Sequence, residues 1–209
     1  MKTKIVKALI VAGAFCVALP GAATLNAAIP GFPGGGSGGG VDINTVFDTY
    51  VTSYVGMIEG QAGVAGSLGL AELQGKYKAE AERLKSNKGQ DLDATQKIDK
   101  DGQTQIAQSM DKATQLEPEK QKLFAEGTAA YAVGALKLAE LAKQVKDMKR
   151  PGLTDVAALP RFKVIQTLPA YIKVVAQVLP TYAKFGQKVG VQPDPSLADA
   201  MKALPAGPN

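Results

Sequence analysis

The sequence predicts an all-α fold, an antiparallel helical bundle of four to five helices with a curved, proline-containing last helix. Three observations lead there. From Val41 onward apolar residues recur at helical spacing, and no stretch sustains the period-two alternation of a half-buried strand. Clusters of glycine, proline and small polar residues cut that pattern into pieces of helix length. Where the connections are short, neighbouring helices are expected to run antiparallel.

The first residues read as an address. Lys2, Lys4 and Lys7 form a basic start, an apolar stretch runs from Ala8 to Leu19, and Pro20 is followed by Gly21, Ala22 and Ala23. This is the three-part layout of a secretory signal peptide over residues 1–23, with cleavage after Ala23 or as late as Ala28. "IPGFPGGGSGGG", residues 29–40, is a glycine-rich flexible linker that cannot pack and behaves as a coil. Residues 41–190 then form the helical bundle domain, and residues 191–209 a proline-rich C-terminal tail.

Within the domain, Asp42 or Asn44 caps a first helix running to about Leu73, with a break near Gly66–Gly69 as the alternative. A charged helix follows to about Lys85 and stops at "SNKGQ". Its Glu72 and Lys76 stand one turn apart as a surface pair. A polar helix covers Asp93 to Leu116. Glu117-Pro118-Glu119 opens the next, with proline in the first turn and acids beside the helix N-terminus. It runs to Met148, where Lys149-Arg150-Pro151-Gly152 ends it. The last major helix spans about Leu159 to Val189, and Ser196 to Leu204 can form one more short helix.

Composition excludes much chemistry. The chain has no histidine, and its one cysteine, Cys16, lies in the apolar core of the signal. That removes thiol and Ser-His-Asp nucleophiles and ordinary zinc or haem ligation. The expectation is a non-enzymatic protein with no cofactor. Loss of residues 1–23 takes three lysines and no acid, leaving 21 basic against 19 acidic residues, a net +2 in place of +5. Charge therefore gives no case for nucleic acid. "KIDKDGQTQIAQ" places Asp99, Asp101 and Gly102 like a calcium loop, but Lys97 and Gln108 stand where its first and last carboxylates belong. No metal is expected there, and the run reads as a solvated polar helix or a turn at Asp101-Gly102.

Two patterns point to binding or packing. Gly56, Gly60 and Gly63 fall on one face of the first helix, and Gly127 and Gly134 on one face of the fourth. Such small stripes let backbones approach closely, in a buried helix pair or in a membrane-inserting segment. The second pattern is a repeat. Leu168-Pro169-Ala170-Tyr171-Ile172-Lys173 returns as Leu179-Pro180-Thr181-Tyr182-Ala183-Lys184, and Leu159-Pro160-Arg161-Phe162-Lys163 is a looser copy. Prolines in phase along a helix bend it, or each Leu-Pro opens a new helix. From Val156 to Pro193 there is no acid, while Arg161, Lys163, Lys173, Lys184 and Lys188 are present. With Tyr171 and Tyr182 these form a candidate binding face for an envelope protein partner or an anionic membrane surface. The functional expectation is a periplasmic or secreted accessory protein of the cell envelope that works by binding. The alternatives are a periplasmic carrier of an apolar or lipid-like ligand, held between the curved helix and the glycine-lined pair, and a membrane-active secreted protein.

Overall fold

Asp42 starts the bundle. Its carboxylate accepts hydrogen bonds from the backbone N–H of Asn44 and Thr45 and from the Thr45 hydroxyl, the last at 2.7 Å. These bonds satisfy donors that the first helical turn leaves open, and they hold the Asp42 carboxyl below its usual pKa. The computed structural model describes residues 42–87, 89, 92–146, 148 and 158–204. The expected signal peptide and glycine linker lie outside the described residues, as does the stop at Lys149-Arg150-Pro151-Gly152.

Among the described residues there are seven helices and no strand: α1 (Ile43–Ser67), α2 (Ala71–Ser86), α3 (Leu92–Lys112), α4 (Pro118–Val145), α5 (Ala158–Gln166), α6 (Leu168–Lys188) and α7 (Pro195–Ala203). The all-α expectation holds, but the count exceeds four to five for identifiable reasons. The first helix ends at Ser67, not near Leu73. Gly69 there takes φ +76°, its N–H bonds the Gly66 carbonyl, and Leu70 N–H reaches back to Ala65. A left-handed residue closing the last turn this way ends a helix, and glycine adopts it without steric cost. The third helix is also shorter than expected, stopping at Lys112.

The expected last helix splits at Thr167, and the Leu-Pro copies have different fates. Pro160 sits in the first turn of α5, and Pro169 opens α6, where a missing N–H costs nothing. Pro180 lies inside α6, which continues through it to Lys188. The chain also keeps to the fold beyond residue 190. Asp194 caps α7 through Ser196 N–H at 2.8 Å, and Leu197, Ala200 and Leu204 are buried as α7 packs on α4.

α1 and α4 form the centre, and the glycine stripe is their seam. A methyl group on Gly60 would stand 2.5 Å from the Tyr131 nitrogen and 2.6 Å from the Gly127 carbonyl oxygen. One on Gly63 would meet Gly127 Cα at 2.9 Å, and one on Gly134 the Ser53 carbonyl at 2.6 Å. Partners that descend in α4 as they ascend in α1 make the pair antiparallel. Gly56 is a correction: nothing lies within 4 Å of the position its Cβ would take, so it is not part of the seam. α2 runs against α1, joined by Lys85–Glu59 at 2.7 Å. α6 runs against α4, with Phe124 on Phe185 and Tyr131 on Tyr182. α3 returns against α2 but lies parallel to α6, since Asp99 meets Tyr171 and Met110 meets Lys188. The bundle is therefore not antiparallel throughout. Helices far apart in sequence are free of the constraint that short loops impose.

Candidate functional site

The exposed side of α5 and α6 carries Lys163, Lys173, Lys184 and Lys188. Lys173 and Lys184 are eleven residues apart, almost three turns, and so project in nearly one direction. Gln177 and Thr181 are exposed between them, and Val174 beside Lys173 is 40% exposed. Among the described residues, Lys163, Lys173 and Lys184 have no acidic partner, whereas Lys76, Arg83, Lys85 and Lys122 each pair with a glutamate.

Four members of the expected face are used elsewhere, in whole or in part. Tyr171 and Tyr182 are buried. Tyr171 donates a hydrogen bond to Asp99 and meets Tyr54 edge-on, while Tyr182 packs between Phe124 and Tyr131. Their rings belong to the apolar side of the strongly amphipathic α6, where burying a large ring outweighs exposing its hydroxyl. Arg161 turns back onto the start of α1, bonding Asn44 and lying over the Phe47 ring at 5.4 Å. Lys188 stays exposed, but its ammonium reaches the Met110 carbonyl at 3.5 Å and lies over Phe185. Among the described residues, the cations of the face without a partner are thus Lys163, Lys173 and Lys184.

A second feature lies beneath α6. All six tyrosines of the chain, Tyr50, Tyr54, Tyr77, Tyr131, Tyr171 and Tyr182, are buried. Near them, only 1% exposed, is Asp99. Its carboxylate accepts from the Tyr171 hydroxyl at 2.9 Å and from Gln103 Nε2 at 3.1 Å. The amide of Gln61 comes near and favours the charged form, without closing a full hydrogen bond. These donors are neutral, and burial outweighs them, so the carboxyl titrates at about 6 instead of near 4. Burial, followed by the nearby Asp99 carboxylate, pushes the Tyr54, Tyr77, Tyr131, Tyr171 and Tyr182 phenols well above their usual range. Tyr77 reaches the Asp99 backbone carbonyl over Gly102, where a side chain would collide with the phenol.

The calcium-like run is therefore a helix solvated on one side only, with Lys97, Lys100, Asp101, Thr104, Gln105 and Gln108 exposed and Asp99 turned inward. Asp99 lies on a buried stripe, Leu92, Thr95, Asp99, Gly102, Ile106 and Met110, spaced three or four residues apart. That spacing was the signal that could have found it: a carboxylate in register with leucine and isoleucine faces the core. Gly102 stays within an unbroken α3. Among the described residues no group of three or more potential metal-ligating side chains occurs. Between α3 and α6 a cleft of about 450 Å³ opens, lined by Asp99 and Tyr171 together with Gln96, Lys100, Gln103 and Gln177. Comparison of the chain with protein-family models, curated proteins and solved structures finds no match.

Proposed function

We propose that this is an exported, non-catalytic binding protein whose α5–α6 face docks an acidic surface of an envelope protein. One observation carries the reading: among the described residues Lys163, Lys173 and Lys184 are exposed with no acidic partner, on a segment, residues 156–193, whose sequence contains no acid. Export rests on the layout of residues 1–23.

The packing of α6 favours an acidic protein over a lipid surface. A helix that inserts into a headgroup layer needs a free apolar face beside its cations. Here that face, from Leu168 through Ile172, Val175 and Leu179 to Phe185, is buried in the core. The glycine stripe is likewise occupied by the α1–α4 seam, and among the described residues no helix is long and apolar enough to cross a membrane. The aromatic rings of Phe124, Tyr131, Tyr182 and Phe185 fill the space between α4 and α6 that an apolar ligand would need.

The test is crosslinking from the face itself. A photoreactive residue at the exposed Thr181 captures an acidic protein from envelope extract, while the same residue at Ala79 on α2 does not. Capture weakens as salt is raised, because exposed charges are screened within roughly 8 Å at physiological ionic strength. Capture from both positions alike, or only of lipid at Thr181, contradicts the reading.

A further inference from the structure

The cleft between α3 and α6 is separate in chemistry from the lysine face beside it. We propose that it is a binding site for a small primary ammonium compound, and best for a zwitterion of amino-acid size, with the ammonium on Asp99 and the anionic end toward Lys100.

Size, charge and unused hydrogen bonding point the same way. A volume of about 450 Å³ lies within the roughly 300–1,000 Å³ usual for small-molecule sites. Its lining offers one carboxylate, Asp99, set among neutral polar side chains, the Tyr171 ring and Lys100. A carboxylate has about four acceptor positions. Tyr171 and Gln103 take one each, on Oδ2 and Oδ1, leaving capacity for an ammonium.

Behind Asp99 the Gln61 amide is fully buried, and neither its nitrogen nor its oxygen closes a hydrogen bond among the described residues. The hydroxyl of Tyr54, whose ring meets Tyr171 edge-on, comes near the Tyr171 hydroxyl without closing a full hydrogen bond among the described residues. A packed core normally satisfies such groups. Neither Gln61 nor Tyr54 lines the cleft, so what a polar ligand there would complete is the acceptor capacity that Asp99 leaves open. The Tyr171 ring in the lining also suits a cation, which an aromatic π face attracts. Asp99 is held back from ionising by burial with no cation among its partners, and a bound ammonium would relieve that cost. Lys100 is exposed on the cleft wall with no acidic partner among the described residues, so it can receive a carboxylate.

The experiment is a titration of the full chain with n-butylammonium, 5-aminopentanoate, pentanoate and n-butanol, followed by amide chemical shifts and by calorimetry. The two ammonium probes are expected to bind saturably in the millimolar range, a reasonable strength for so few atoms, with 5-aminopentanoate tighter. Pentanoate and n-butanol are expected not to saturate. Asp99→Asn should weaken the ammonium probes by about ten- to a hundredfold, the usual loss for a charge-assisted hydrogen bond. Lys100→Ala should erase the advantage of 5-aminopentanoate over n-butylammonium. Ala170→Trp, at an exposed position on the cleft wall, should block both probes without altering the core. Absence of saturable ammonium binding overturns the proposal. So does equal binding of n-butanol, or binding that survives Asp99→Asn or Ala170→Trp.

Discussion

Asp99 shows how one residue's neighbours decide its chemistry. In water it would be an ordinary acid; beneath α6 burial raises its carboxyl to about 6. The folded state therefore holds this proton more tightly than the unfolded chain does. Below pH ~4 the group is protonated in both states and costs nothing; between pH ~4 and ~6 stability falls as pH rises, and above ~6 the full penalty applies. A shift of roughly two pK units corresponds to about 3 kcal/mol. Asp99→Asn is expected to flatten that part of the pH–stability curve and to stabilise the fold at pH 7 by up to that amount. Urea unfolding at pH 4.5 and 7 checks this, and equal pH slopes in the two proteins would contradict it. The residue could be read as buried from its i, i+3, i+4 partners. Its tyrosine surroundings could not, because they come from α1, α2, α4 and α6, which no local pattern brings together.

At the scale of elements, the glycines separate into distinct roles. Gly60 meets backbone atoms of α4, which cannot rotate away as a side chain can. Gly60→Ala is therefore expected to destabilise by about 1–3 kcal/mol, since overpacking outweighs the gain in helix propensity. Gly56, with open space around it, should behave oppositely: Gly56→Ala is expected to stabilise by about 0.5–1 kcal/mol. Gly69→Ala, at φ +76°, should cost about 1–2 kcal/mol through left-handed strain. Thermal melts followed by circular dichroism distinguish the three. The stripe itself was legible from spacing, because faces follow from helical geometry. The exclusion of Gly56 was not, since it depends on where α4 crosses. The Leu-Pro copies show the same limit. Each can open a helix, but whether a proline starts one or sits inside one depends on the preceding turn, and the sequence left both readings open.

For the whole molecule, binary patterning was enough to specify an all-α fold, while the parallel placement of α3 beside α6 followed only from long-range packing. The same packing sorts the basic segment. It buries Tyr171 and Tyr182, ties Arg161 to Asn44 and Phe47 of α1, and leaves Lys163, Lys173 and Lys184 exposed with no acidic partner among the described residues. Unpaired surface lysines contribute little to folding, so their substitutions should leave stability within about 0.5 kcal/mol. The most direct measurement is a comparison of the native chain with Lys173→Glu/Lys184→Glu, recording the melt and the association with the captured envelope protein on the same samples. An unchanged melt with association lost is the predicted result. Association at native strength in the doubly reversed protein would contradict the assignment of this face.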